Sequence, residues 1–467
     1  MGIDGDPVRL VSAASVLETA NWTCWRRVPA SAHPPRGRIL QTVHTCEALS
    51  ARPTPYTVSI MRKILILALA LAHLAWAAGT LNVMQSFGGS NSREGNDLYA
   101  GVIIDASGNL YGASESGGTY NAGVVYELSP SIGGWTETVL YNFKGGAGDG
   151  ANPHATLMFD SAGNIYGTTV SGGLNTTKCR GGCGTVFMLA AASHWQETVL
   201  YRFTGGADGA VPYPGVVMDP AGNLYGATNE GGAANAGVVY KLSPGGSGWQ
   251  QTLLHTFQGK PDGSAPFGTP ALDAAGNLYG TTNAGGSHNE GSVYMLALQS
   301  DGSFTAQTLH NFSGGADGVN PLAGVVLDPH GNIYGTTGYG GSANCGIAFE
   351  LTPTGSGTWK ERLLHTFLGI GAQDGENPNG LTFGAHGNLY GTTLGGGVYN
   401  PGTIFELTRT SSGPWQETVL YSFTGGLDGA YPSVGVTLDS AGNIYGTTVW
   451  GGPSGDTTGG VAFQFIP

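Results

Sequence analysis

From Thr80 to Pro467 short apolar runs alternate with glycine-rich polar connections, and within each run the alternation has a period of two. In one stretch, Gly215-Val-Val-Met-Asp219, Asn223-Leu-Tyr-Gly-Ala-Thr228, Gly237-Val-Val-Tyr-Lys-Leu242 and Gln251-Thr-Leu-Leu-His-Thr-Phe257 set Val, Leu, Tyr and Phe between small or polar residues. That spacing predicts four strands and no helix. The four-part pattern returns along the chain, each time around Gly-Asn-(Leu/Ile)-Tyr-Gly. Its asparagines are Asn109, Asn164, Asn223, Asn277, Asn332, Asn388 and Asn443, separated by 55, 59, 54, 55, 56 and 55 residues. Steps this regular mean one repeated unit.

The connections carry matching turn chemistry. In Asp219-Pro-Ala-Gly222-Asn223 the aspartate can cap a tight turn, the proline has its φ pre-set and the glycine takes positive φ. Asp105, Asp160, Asp273, Asp328 and Asp439 recur at the same place, with Gly384 there once, and all read as turn formers. Four strands per unit, seven times over, predicts an all-β, seven-bladed β-propeller with four antiparallel strands per blade. The termini support a closed ring. The last repeat ends after its third strand, at Phe465, while Thr80-Leu-Asn-Val-Met-Gln-Ser-Phe87-Gly-Gly matches the fourth-strand phrase Thr418-Val-Leu-Tyr-Ser-Phe423-Thr-Gly-Gly. The N-terminal strand is therefore expected to complete the final blade and remove the open edges of the array. A solenoid would have no reason to split a repeat between its ends. Trp135, Trp195, Trp249, Phe304, Trp359 and Trp415 introduce the outer strands and read as blade-packing residues.

The chain before the repeats is different. Residues 61–77, MRKILILALALAHLAWA, have a basic start, a short apolar stretch and a small-x-small end, the pattern of a secretory signal peptide and too short an apolar run to span a bilayer. Residues 1–60 lack the repeat and are expected to be a start-site overcall and disordered, with Met61 as the natural start and 78–467 as the propeller. The formal charge is -13; removing the eight basic and four acidic residues before Ala78 leaves 10 Lys+Arg against 27 Asp+Glu, a net -17. Nucleic acid and anionic membranes are thereby disfavoured as partners.

Candidate chemistry is sparse. Cys179 and Cys183, in an insertion of the second repeat, are expected to form a local disulfide, since two thiolates do not complete a zinc shell. Cys345 aligns with Cys183 and reads as a small buried residue. There is no HExxH, Walker loop or Gly-x-Ser-x-Gly elbow. His255, His310 and His365 repeat at one outer-strand position and read as scaffold, whereas His154, His194, His288, His330 and His386 read as solvated loop residues. An acidic ring, Glu94, Asp149, Asp208, Asp262, Asp317, Asp374 and Asp428, occupies the connections between blades. Turn capping explains it, and calcium binding is the sharper alternative, because a hard cation wants six to eight oxygens.

The repeats differ most after Gly-Thr-Thr, at Glu115-Ser116, Val170-Ser171, Asn229-Glu230, Asn283-Ala284, Gly338-Tyr339, Leu394-Gly395 and Val449-Trp450. In a propeller these loops share one face with the connections between blades, so variation there on a rigid scaffold predicts a recognition surface. Tyr339 and Trp450 are the expected aromatic anchors, with Glu115, Asn229 and Glu230 as polar candidates. No residue is assigned a catalytic role.

The run Leu438-Asp-Ser-Ala-Gly-Asn-Ile-Tyr-Gly-Thr-Thr448, with its following Gly-(Thr/Val)-(Val/Ile)-(Phe/Tyr)-x-Leu and Glu-Thr-Val-Leu-Tyr-x-Phe-Thr-Gly-Gly strands, resembles the bacterial exported tandem-repeat proteins of the GloVer-containing type. Its Asp-x-x-Gly-Asn-Ile-Tyr part is similar to NHL-type propeller repeats. The resemblance covers Thr80 to Pro467 and implies an exported propeller without an assigned activity; no surface-sorting tail follows Phe465-Ile-Pro467, so release is expected. The reading is a secreted, periplasmic or cell-surface monomer that binds a protein or carbohydrate ligand, without catalysis and without membrane insertion once the signal is removed. The alternative is a hydrolase or lyase acting on a polysaccharide or a lactone at the channel mouth.

Overall fold

A computed structural model describes residues 79–88, 93–246, 248–355, 357–410, 414–452 and 459–467. The expectations for residues 1–60 and for the signal peptide lie outside the described residues. Seven antiparallel sheets form the blades of a seven-bladed β-propeller. In blade 3 the strands run Val217–Met218, Leu224–Thr228, Val238–Gly245 and Gly248–Thr256 from the innermost outward. Blade 7 combines Thr437–Leu438, Ile444–Thr448 and Gly460–Ile466 with the N-terminal Thr80–Phe87. Leu81 stands opposite Phe465 and Phe87 opposite Gly460, so the ring closes as the sequence predicts.

The innermost strand of blade 3 is shorter than expected. Where Gly215 to Asp219 reads as a strand, only Val217 and Met218 pair with the second strand. Backbone groups upstream serve the neighbouring blade instead: the Gly215 N–H donates to Thr269 Oγ1 at 2.9 Å. Hydroxyls of this kind link all seven seams. Thr168, Thr281, Thr336, Thr392 and Thr447 donate to the carbonyls of Pro214, Ala323, Asn379, Val434 and Ala100 of the following blade. Blades 1 and 3 carry Ala113 and Ala227 at that position; there Thr156 and Thr269 of the following blade accept from Gly101 and Gly215 instead.

The hydrophobic core is likewise divided among the seams. Tyr111 of blade 1 meets Trp195 of blade 2 with ring centroids 6.0 Å apart, and Tyr334 meets Trp415 at 6.1 Å. Tyr445 and Trp135 belong to one cluster that joins blade 7 to blade 1. The tyrosines of the repeated phrase and the outer-strand aromatics thus pack between blades, where large rings give the most apolar burial.

Each turn aspartate positions its tyrosine. Asp219 Oδ1 accepts the N–H groups of Ala221 and Asn223, both at 2.9 Å, while Oδ2 accepts Asn223 Nδ2 at 2.7 Å and Tyr225 OH at 3.0 Å. Gly222 has φ +82°, a conformation costly for any residue with a Cβ. In blade 6, where Gly384 replaces the aspartate, Asn388 Nδ2 and Tyr390 OH both donate to Glu406 Oε1 at 2.7 Å.

Candidate functional site

The two variable loop sets meet on one face. Backbone bridges join Asn96 to Ser116, Ala210 to Glu230, Val319 to Tyr339 and Ala430 to Trp450. The same pairing joins Ala151 to Ser171, Ser264 to Ala284 and Glu376 to Gly395 in the other blades.

From this face each chain segment turns inward through a residue in the left-handed region: Asp97, Asn152, Val211, Ala265, Asn320, Asn377 and Tyr431, with φ between 53 and 58°. Asparagine tolerates that conformation. Asn152, Asn320 and Asn377 further donate from Nδ2 to the loop carbonyls of Glu115, Asn283 and Gly338. Two residues on, usually after a proline, stand Tyr99, His154, Tyr213, Phe267, Leu322, Asn379 and Ser433.

Four of these make a continuous aromatic arc across blades 1 to 4. Tyr99 stacks on His154 at 4.9 Å with 13° between planes; His154 meets Tyr213 edge to face at 4.9 Å; Tyr213 stacks on Phe267 at 5.0 Å and 23°. The arc lines a cavity of about 390 Å³ to which every blade contributes, Leu322, Leu381 and Val434 closing the opposite side. This volume lies in the usual range for a ligand pocket.

Acids gather beside the rings. Burial, and then the neighbouring Asp97, push the Glu115 carboxyl up to about 7. Burial followed by the charges of Glu115 and Asp97 raises Tyr99, and burial followed by Glu115 and Glu230 raises Tyr213. Burial lowers His154 to about 4, so its ring is neutral near pH 7. Asp97 Oδ2 accepts from Ser116 Oγ at 2.6 Å. Ser433 Oγ, buried in the cavity wall, has no partner among the described residues.

Glu115 and Glu230 thus come to the mouth. Asn229 borders it, its N–H donating to Val211 O at 3.0 Å. Tyr339, 43% exposed, and Trp450, 37% exposed, lie on the loop face outside the cavity lining, and Trp450 rests edge to face on Tyr431 at 5.0 Å. His154 corrects the sequence reading: it is a ring in the cavity wall and not a solvated loop residue. Tyr99, Tyr213 and Phe267 were not singled out by the sequence reasoning. For Tyr213 and Phe267 the available signal was a position just after Asp-Gly-x-x-Pro that varies while its flanks repeat; Tyr99 follows the variant Glu94-Gly-Asn-Asp-Leu98.

The acidic ring is distributed among the seams. Asp208 Oδ2 accepts from Tyr201 OH at 3.2 Å and from the Thr204 N–H at 2.8 Å; Asp428 repeats this with Tyr421 and Thr424, and Asp149 with Tyr141 and the Lys144 N–H. Asp262, Asp317 and Asp374 bond His255, His310 and His365 at 2.9 to 3.1 Å, and Glu94 is exposed. Among the described residues, the side chains grouped closely enough to hold a metal are His310, Asp317 and Glu361, and His365, Asp374 and Glu417. Each set offers one imidazole and two carboxylates, a donor set that suits a transition metal better than calcium. Cys179 and Cys183 are joined in a disulfide. Cys345, expected to be buried, is half-exposed, its thiol donating to Ala343 O at 3.4 Å.

The Gloeobacter/Verrucomicrobia repeat model matches residues 71–294, 175–371 and 268–467. No curated protein matches the chain. Among solved structures, the extracellular domain of a one-component system from B. thetaiotaomicron is similar at TM-score 0.51 and 9% identity, over 82% of this chain; the match spans only 39% of that longer chain. An oxidoreductase described as a glucose dehydrogenase, from Thermus thermophilus, aligns at TM-score 0.41 and 14% identity, over 66% of this chain and 95% of its own.

Proposed function

Because the chain belongs to the Gloeobacter/Verrucomicrobia repeat family, we propose that it is an exported β-propeller that binds a protein or glycan ligand, without catalysis, through its variable-loop face and channel mouth. The observation that carries this is the arc Tyr99, His154, Tyr213 and Phe267, which breaks the repeat where the channel opens. A scaffold needs no such departure, since every seam is already held by the repeated threonines and aromatics. Export is supported by the leader pattern of residues 61–77, and the similarity to an extracellular domain is compatible with it.

The test is a glycan array and a capture screen of envelope and extracellular proteins, using the purified protein beside Tyr213→Ala and Trp450→Ala. A specific ligand that either substitution weakens supports the reading. Ligands that neither substitution affects would remove it. A second reading, hydrolase or lyase action, is favoured by Glu115, a half-buried carboxyl with its pKa near 7 beside Asp97, which suits a general acid. Turnover in a polysaccharide and lactone panel that Glu115→Gln abolishes would establish it in place of binding.

A further inference from the structure

We propose that the channel mouth receives a cationic side chain of a partner protein, a guanidinium or alkylammonium group seated on the aromatic arc and paired with Glu115. This rests on the mouth being a binding site and names what it binds. Aromatic rings such as those of the arc carry negative quadrupole lobes on their faces, which attract a desolvated cation. Glu115 is half-buried at the rim, and its carboxylate has neither a hydrogen-bond donor nor a cation beside it among the described residues. A partly buried carboxylate in that condition is costly until a partner arrives.

The remaining charge disfavours anionic ligands. No lysine or arginine lines the cavity, and Asp97 and Glu230 add negative charge, so phosphates, carboxylates and acidic sugars are repelled. A neutral sugar needs several polar groups for its hydroxyls. The wall's hydroxyls are those of Tyr99, Tyr213, Thr156, Thr269 and Ser433, and Thr156 and Thr269 are already engaged by Gly101 and Gly215. One cation with an apolar stem matches a wall of rings with a carboxylate at its rim.

The experiment titrates the purified protein with acetyl-Gly-Arg-Gly-amide and with the same peptide carrying citrulline, the neutral isostere of arginine. The arginine peptide should bind at least about tenfold more tightly. Glu115→Gln, nearly isosteric and so safe for folding, should abolish that preference, Tyr213→Ala should weaken binding, and Ile132→Ala, in an exposed turn between outer strands, should leave it unchanged. Affinity for the arginine peptide should rise between about pH 5.5 and 8 as the carboxyl ionises. Equal binding of citrulline, indifference to Glu115→Gln, or affinity that falls with pH overturns the proposal. A neutral oligosaccharide that binds in a Tyr213-dependent way while the arginine peptide does not would overturn the cation and leave the binding function standing. Failure of every ligand to respond to mouth or loop substitutions would end both.

Discussion

One aspartate in each of six repeats organises a turn, an asparagine and a tyrosine. Hydrogen bonds from Asn223, Tyr225 and Ala221 hold Asp219 below the usual carboxylate range against the opposing effect of burial. Replacing it by alanine strands several donors, so Asp219→Ala should lower the unfolding free energy by about 1 to 3 kcal/mol in denaturant titrations. The odd repeat gives a sharper case. Consensus reasoning would restore aspartate at Gly384, yet a Cβ there would come within 2.5 Å of Tyr390, which has turned to Glu406 instead. Gly384→Asp should therefore destabilise, by about 1 to 3 kcal/mol, and a rise in the melting midpoint would contradict the packing described. In the acidic ring, Asp208 and Asp428 are already served by hydroxyl and backbone donors. A chelator should leave the melting midpoint unchanged, and calcium-dependent melting would restore the hard-cation expectation.

At the scale of elements, the seams hold the ring together. A threonine on each seam hands a hydroxyl to the neighbouring blade's backbone, or accepts from it, and the two repeats with alanine are matched by a threonine on the next blade. Thr281→Ala leaves the Ala323 carbonyl without its 2.7 Å donor in a largely buried place. It should cost about 1 to 3 kcal/mol by chemical denaturation, whereas an exposed threonine changed to alanine should cost far less. Blade number, strand order and terminal closure were legible in the sequence because each depends on local patterns repeated seven times. The channel mouth was not, since Tyr99, His154, Tyr213 and Phe267 lie about 55 residues apart and meet only once the ring forms. His154 illustrates the difficulty: nothing beside it in sequence announces a ring cluster, and its neighbours belong to other blades.

For the whole molecule, four seams carry a carboxylic acid facing an acidic neighbour: Glu137, Glu197, Glu361 and Glu417, each with one buried oxygen lacking a partner. Burial, reinforced by Glu94, Asp149, Asp317 and Asp374 respectively, raises them from an ordinary 4.5 to about 8, 7, 7 and 7. Their folded pKa values exceed the unfolded ones, so the fold favours the protonated form. Their contribution to stability is complete below about pH 4.5 and is lost as pH rises through about 7 to 8. Melting midpoints should fall between pH 5 and 8, and changing all four to glutamine should flatten that slope. An unaltered slope would mean these seams do not titrate as described.

The strand Thr80–Phe87 lies against Gly460–Ile466, far along the chain. A ribosome makes the first of these nearly four hundred residues before the second. Throughout synthesis the first-made piece has no mate, and six finished sheets would leave a raw flank. Closure must therefore wait until Gly460–Ile466 has been made, and a product cut short before it carries a sticky border that invites a second molecule.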